Sequence, residues 1–147
     1  MGARLFKHPI HPMLVPLPIG LWIFSFVSDL VCFLSDAVIW DEVAFYTMAG
    51  GLVGALVAAL PGFVDLLSLN DPAVRRVALA HMLVNLTTVA LYAVNLWVRT
   101  NSPPGADAPI VMSVVGVLFL GVAGWLGGEL VFRHGVGVER EPSEIKG

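Results

Sequence analysis

The side chains in this sequence best suited to chemistry are four histidines, His8, His11, His81 and His134. Imidazole binds transition metals and haem iron, and it exchanges protons near neutral pH. His8 and His11 belong to the motif HPIHP, in which each histidine precedes a proline. Because proline disfavours helical geometry in the preceding residue, both histidines are expected in extended chain, about 9 Å apart on one side. The alternative is that the prolines only shape a rigid lead into a helix.

A polar series follows His81 at intervals of four, three, four, three and four residues: Asn85, Thr88, Tyr92, Asn95 and Arg99. At 3.6 residues per turn, this spacing forms one stripe along a helix. An ionisable group inside a membrane helix is costly and by default marks a functional site. The stripe is therefore predicted to face other helices, with Asp29 also turned inward. The alternative is a stripe that only forms hydrogen bonds between helices.

The composition of the chain excludes a soluble globule. Of 147 residues, 57% are hydrophobic and 13% are charged, whereas charged residues make up about 25% of soluble proteins. A net charge of −3 with few basic residues also argues against nucleic-acid binding. The single cysteine excludes an internal disulfide and a cysteine-rich metal site. The composition indicates an integral membrane protein whose main partner is the lipid bilayer.

Four apolar stretches are long enough to cross a bilayer, which takes about 20 helical residues. They run from about 13 to 34, 43 to 64, 77 to 98 and 110 to 132. Backbone groups in lipid must find partners within the chain, so the stretches should be helices, and short connections make neighbours antiparallel. The sequence predicts an all-α, up-down bundle of four transmembrane helices as one domain, 1–147, with a fraying polar tail, 134–147.

The basic residues predict the orientation of the bundle. Seven of the eight lie on the side that holds both termini, and only Arg99 lies on the other. The positive-inside rule then places both termini in the cytoplasm, in the cell inner (plasma) membrane, with all four histidines at or near the cytoplasmic boundary. Small residues line two helices and predict close packing or a homo-oligomer through these glycine faces: Gly51, Gly54 and Gly62 on the second, and Gly121, Gly124 and Gly128 on the fourth.

The segments HPIHPMLVPLPIGLW and GWLGGELVFRHGVGV resemble the two end signatures of a prokaryotic membrane family, domain-of-unknown-function family 2231. AHMLVNL, around His81, resembles its middle motif. The resemblance implies a small four-helix membrane protein. Since some relatives are fused to Rieske or cytochrome c modules, it also implies a redox role. The residues that match the motifs are His8, His11, Pro12, His81, Asn85, Gly128, His134 and Gly135.

The first functional hypothesis is one b-type haem at the cytoplasmic end, exchanging electrons with a quinone or a redox partner protein. His81 and either His11 or His134 would be the axial ligands, with His8 and Asn85 nearby. The candidate partners of the haem propionates are Arg75, Arg76 and Arg133. Two-haem membrane cytochromes often carry a second histidine about four turns along the same helix. Asn95 occupies that position here, so a second haem is not expected.

Two other hypotheses remain open at this stage. An Fe, Cu or Zn ion could be held by ligands from His11, His81, His134 and Asp65, with the polar stripe as a path for protons or ions. Alternatively, the protein is a membrane scaffold or assembly subunit whose polar residues only hold the bundle together. The sequence contains no nucleophile–base set, phosphate loop or paired carboxylates, so it does not predict an autonomous enzyme.

Overall fold

The computed structural model describes residues 4–5 and 8–138, and this part of the chain is almost entirely helical. Two short strands, β1 (Arg4–Leu5) and β2 (His8–Pro9), pair antiparallel before the first helix. The helices that follow are α1 (Ile10–Leu14), α2 (Pro16–Ser35), α3 (Ile39–Leu67), α4 (Pro72–Arg99) and α5 (Asp107–Phe132).

Four segments are long and apolar enough to cross a membrane: Ile10–Ser35, Ile39–Leu67, Pro72–Arg99 and Asp107–Phe132. The first consists of α1 and α2. The predicted all-α bundle of four membrane helices is confirmed. Each segment is longer than the predicted span, because polar residues and prolines at its ends are also helical. α4, for example, has Pro72 as its first residue, and the side chain of Asp71 accepts a hydrogen bond from the Ala73 N–H at 2.8 Å.

The bundle consists of two tightly packed hairpins, α2 with α3 and α4 with α5, joined by sparser contacts of α3 with α4 and of α2 with α5. Trp22, Met48, Tyr92 and Leu120 form the central apolar cluster. The rings of Trp22 and Tyr92 stack, with centroids 4.4 Å apart and planes inclined by 14°. These two aromatic rings therefore connect the hairpins at the centre of the molecule.

The polar stripe of α4 faces the other helices, as predicted. Thr88, Tyr92 and Asn95 are completely buried, and Arg99 is 7% exposed. His81 and Asn85 are half-buried. The 4-3-4-3-4 spacing therefore identified the inward face of the helix correctly.

The predicted packing role of the glycines is confirmed for α3. A Cβ built on Gly51 would lie 2.5 Å from two atoms of the Trp22 ring, and one built on Gly62 would lie 2.8 Å from His11 Nδ1. The glycines therefore make room for ring side chains of the N-terminal segment.

The glycines predicted to line a packing face of α5 do not pack against other helices. Among the described residues, no neighbouring atom would lie within 4 Å of a Cβ on Gly121 or Gly124, and Gly128 meets only its own helix. Gly116 and Gly127 contact ring side chains of α4 instead. The prediction of close packing within the chain was wrong, because α5 is apolar all round and its hydrophobic pattern does not indicate which face is buried. A homo-oligomer through this face stays a prediction.

The HPIHP motif is extended at its start and helical at its end. His8 lies in β2, but its side chain is outside the described part. The expectation of extended chain was wrong for His11, which is the second residue of α1. Pro12 is in the first turn of α1, where backbone N–H groups have no acceptor within the helix, so proline costs no hydrogen bond there.

The described start of the predicted polar tail folds back on the bundle. Gly135 has a left-handed backbone, with φ of 64°, and the Val136 N–H donates to the carbonyl of Leu130 at 2.9 Å. Val136 packs against the apolar cluster of Leu66, Ala78 and Leu130. The segment predicted to fray therefore begins as an ordered turn. Residues 139–147 lie outside the described residues.

Replacing Gly51 with alanine is expected to destabilise the protein by about 2–3 kcal/mol, since the new methyl group would overlap a rigid ring in a packed core. The matched control is Gly121→Ala, which adds the same methyl group where the described chain leaves open space. This change should be neutral, or stabilising by up to about 1 kcal/mol through helix propensity. Unfolding free energies in mixed micelles measure both effects. Equal effects of the two substitutions would contradict the packing described here.

Candidate functional site: a pair of histidines

Two of the four histidines meet inside the bundle. His11 of α1 and His81 of α4 have ring centroids 6.4 Å apart, and their planes are inclined by 83°. Both residues are half-buried. The rings come from different hairpins, so the pair spans the interface between the two halves of the molecule.

Each ring is oriented by a hydrogen bond to a backbone carbonyl. His11 Nδ1 lies 2.8 Å from the oxygen of Ala58 on α3, and His81 Nδ1 lies 3.0 Å from the oxygen of Ala123 on α5. Because a carbonyl can only accept, both Nδ1 atoms carry the hydrogen. In the neutral rings, each Nε2 therefore carries the lone pair that a metal needs.

Asn85 is the third polar side chain of the site. Its amide nitrogen donates to the backbone carbonyl of His81 at 2.8 Å and lies 3.2 Å from His81 Nε2. The hydrogen bond to the His81 carbonyl fixes the position of the Asn85 amide one helical turn after His81. The contact with Nε2 gives the lone pair of the His81 ring a donor.

Two glycines make room for the histidine rings. Gly62 of α3 lies against His11, and a Cβ on Gly127 of α5 would be 3.2 Å from His81 Cε1. Gly127 was not among the candidate residues from the sequence, since Gly124 and Gly128 beside it gave the apparent spacing. Any larger side chain at either position would compete with an imidazole for the same space.

His81 and both carbonyl partners of the pair lie well inside their helices. Ala58, His81 and Ala123 are each nine residues from the end of their helix on this side, about 14 Å along the axis. A second apolar cluster, built around Leu66 and Leu130, lies between the pair and the helix ends. His11, by contrast, is the second residue of α1, so the pair joins the start of the first membrane segment to the interior of the third. We call this side of the bundle the histidine end.

Four other predicted site residues, His134, Asp65, Arg75 and Arg76, do not join the pair, and the side chain of His8 lies outside the described part. His134 follows the end of α5, and Asp65 is seven residues beyond Ala58 on α3. Arg75 and Arg76 are exposed near the start of α4, on other faces of the helix than His81. Within the part of the chain that the structure describes, no three side chains of His, Cys, Asp or Glu come close enough to hold a metal ion. The predicted set of three or four ion ligands is therefore not assembled there.

A second buried polar group lies at the opposite side of the bundle, which we call the arginine end. Arg99 of α4 forms an ion pair with Asp29 of α2, with Nη2 and Oδ2 2.5 Å apart and both side chains at most 2% exposed. Ser113 of α5 donates to the same carboxylate oxygen at 2.7 Å. Arg99 also reaches Asp41 of α3 at 3.4 Å. The cluster therefore joins all four membrane segments.

The pairing of Asp29 with Arg99 was missed in the sequence. Both residues were predicted to face inward, but an ion pair between them was not predicted. The signal that could have predicted the pair is position along the helices. Asp29 and Arg99 each lie within about two turns of a helix end, and these two ends are on the same side of the bundle. Two opposite charges at one level of an apolar bundle can satisfy each other.

Comparison with known proteins agrees with this architecture. No curated protein and no solved structure matches the chain. A family described as predicted membrane protein, DUF2231, matches residues 7–140. The matched region includes the four membrane segments, both paired histidines and the buried ion pair. The chain therefore belongs to the DUF2231 family of membrane proteins.

Proposed function

We propose that this integral membrane protein binds one haem b through His11 and His81 and serves in electron transfer. The observation that carries the proposal is the ring pair itself. Two imidazoles from separate hairpins lie 6.4 Å apart, and both donate Nδ1–H to backbone carbonyls. This hydrogen bond is typical of metal-binding histidines, because it fixes the ring with Nε2 as the atom that can bind a metal. At His81 the Asn85 amide, 3.2 Å from Nε2, would have to turn away for iron to bind there.

The number of available ligands favours haem over a bare ion. A protein-bound Zn ion commonly takes three or four protein ligands, whereas the described residues offer a pair of imidazoles and no group of three. Haem iron receives four nitrogens from the porphyrin and needs at most two axial ligands from the protein. The donor set of this site therefore fits haem iron better than an isolated ion.

The packing around the histidine pair also supports haem binding at this position. The histidines stand at the interface between hairpins, where helix contacts are sparser than within each hairpin. Gly62 and Gly127 have no Cβ to crowd the two imidazoles, so His11 and His81 can reach this interface from both sides. When bound, haem supplies a one-electron couple. The chain itself binds through His11 and His81, orients both rings through Ala58 and Ala123, and limits water through the apolar cluster around Leu66 and Leu130.

We also propose which side of the membrane the histidine end faces. Of the basic residues in the described part, four lie on the side of the histidine end, and only Arg99 lies on the other: Arg4, Arg75, Arg76 and Arg133. The positive-inside rule therefore directs that end toward the cytoplasm of an inner-membrane protein. Arg75 and Arg76 are exposed at the start of α4, where they are suited to the headgroup region. The electron partner would then be a quinone in the bilayer or a redox protein on that side.

The direct test is the absorption spectrum of the purified protein, expressed with haem available and titrated with haemin afterwards. The expected result is a Soret band and about one haem per chain, with the low-spin spectrum of two imidazole ligands. If the protein were colourless and carried a stoichiometric Fe, Cu or Zn ion, the haem proposal would be wrong and the ion-site hypothesis would be favoured. A protein that takes up neither haem nor ion would contradict the proposal and favour a scaffold role.

Replacing Gly62 with alanine is expected to lower the haem affinity by about tenfold or more, because a methyl group 2.8 Å from His11 Nδ1 displaces the ring from its carbonyl partner. Gly124→Ala is the matched control, since its methyl group would meet no described neighbour. Haemin titration of both variants measures the effect. Unchanged affinity in Gly62→Ala, in a variant that folds, would argue against His11 as a ligand.

A further inference from the structure

The arginine end contains buried polar atoms that the described protein does not satisfy. These atoms are the Tyr92 hydroxyl, Asn95 Oδ1 and Arg99 Nε, and each lacks a hydrogen-bond partner among the described residues. Tyr92 and Asn95 are completely buried, and Arg99 is 7% exposed. All three belong to the inward stripe of α4, within about 11 Å along its axis. Buried polar groups without protein partners commonly bind ordered water.

The three atoms need a ligand that both donates and accepts. Arg99 Nε can only donate, Asn95 Oδ1 can only accept, and the Tyr92 hydroxyl can do either. The amide nitrogen of Asn95 already donates to the Ser113 hydroxyl at 3.1 Å and to the carbonyl of Pro109 at 3.0 Å. Water meets these requirements in a space between packed helices, whereas an ion of either sign would meet only part of them.

A surface cavity adjoins this cluster. It has a volume of about 310 Å³ and is lined by Cys32, Phe33, Asp36, Val38, Pro104 and Gly105. The N–H of Gly105 donates to Asp41 at 3.4 Å, and the same carboxylate oxygen lies 3.4 Å from Arg99 Nη1. Asp41 thus links Gly105, in the wall of the cavity, to Arg99 of the buried ion pair through two hydrogen bonds.

The cluster is closed on its other side by apolar rings. Trp22 and Tyr92 stack across the bundle centre, and Leu52, Ala55 and Val89 pack against them. The histidine pair lies beyond this layer, since His81 precedes Tyr92 by eleven residues, about 17 Å along α4.

We propose that the arginine end is a water-filled vestibule. Water enters through the cavity beside Cys32, reaches the Asp29–Arg99 pair and supplies the partners of the three unsatisfied atoms. It stops at the stacked rings of Trp22 and Tyr92. Water and protons from the face opposite the histidine end therefore reach the membrane interior, but not the histidines. This proposal does not depend on haem binding.

Cys32 reports on the vestibule without engineering, because it is the only cysteine of the chain. The probe is a charged, water-soluble methanethiosulfonate reagent, applied to the protein in lipid nanodiscs. The control is Ala55→Cys in a Cys32→Ser background, which puts a thiol on the histidine side of the stacked rings. Because the reactive thiolate forms poorly in dry surroundings, Cys32 should react at least about tenfold faster than the control thiol.

Equal, slow rates at the two positions would overturn the vestibule, and equal, fast rates would overturn its closure at the rings. A second measurement is the melting temperature of Tyr92→Phe. If water satisfies the hydroxyl, its removal should lower the melting temperature. If the hydroxyl is truly unsatisfied in a dry core, its removal should raise the melting temperature and overturn the proposal.

Discussion

Replacing His81 with alanine is expected to abolish the Soret band of the haem-loaded protein. The change removes the Nε2 ligand and the Nδ1–H that fixes the ring on Ala123, at 3.0 Å. With only one histidine left to hold it, haem would bind more weakly and be lost in purification, and any haem that remained would lose its low-spin spectrum. His11→Ala should have a comparable effect, because His11 is held by Ala58 in the same way. The measurement is haem content and the spectrum of each variant after purification.

Two controls separate a ligand from a structural residue. His134→Ala should keep the spectrum, since His134 follows the end of α5 and does not group with the pair among the described residues. Free imidazole added to His81→Ala should restore the band, because it can occupy the space left by the side chain. A protein that is merely unfolded would not recover in this way. Persistence of the wild-type spectrum in His81→Ala would refute the assignment of His81 as an axial ligand.

The sequence predicted the inward faces of α2, α3 and α4 because each carries polar or small residues at helical spacing. Asp29, Thr88 and Asn95 are buried as their positions indicated. α5 lacks this contrast, so its inward glycines, Gly116 and Gly127, could not be distinguished from Gly121 and Gly124 on its outer face. Periodicity indicates a face only where the two sides of a helix differ in polarity.

The histidine pair could be predicted only in part. Histidines near one end of the bundle were expected to approach each other, but the groups that accept their hydrogen bonds were not predicted. The hydrogen-bond acceptors are backbone carbonyls of Ala58 and Ala123, and a carbonyl has no sequence signature. His11 was also assigned to extended chain, because the preference of a residue before proline was given more weight than the tolerance of a first helical turn for proline.

Replacing Arg99 with leucine is expected to cost about 3–5 kcal/mol of stability, because it leaves Asp29 as a buried charge without its cationic partner. Only Ser113 would still donate to that carboxylate. Asp29→Leu should cost less, since Arg99 keeps Asp41, whose side chain is 26% exposed, as a second partner. Unfolding of each variant by added denaturing detergent in mixed micelles measures the difference.

The double variant and a surface pair make this prediction specific. Asp29→Leu combined with Arg99→Leu removes both charges and should recover much of the stability lost in Arg99→Leu, as replacement of a whole buried pair by apolar residues often does. Arg133 forms the comparison pair with Glu129 at 3.0 Å, but its side chain is 77% exposed, so Arg133→Leu should change stability by no more than about 1 kcal/mol. If Arg99→Leu and Arg133→Leu had equal effects, the Asp29–Arg99 pair would not be what holds the four membrane segments together at the arginine end.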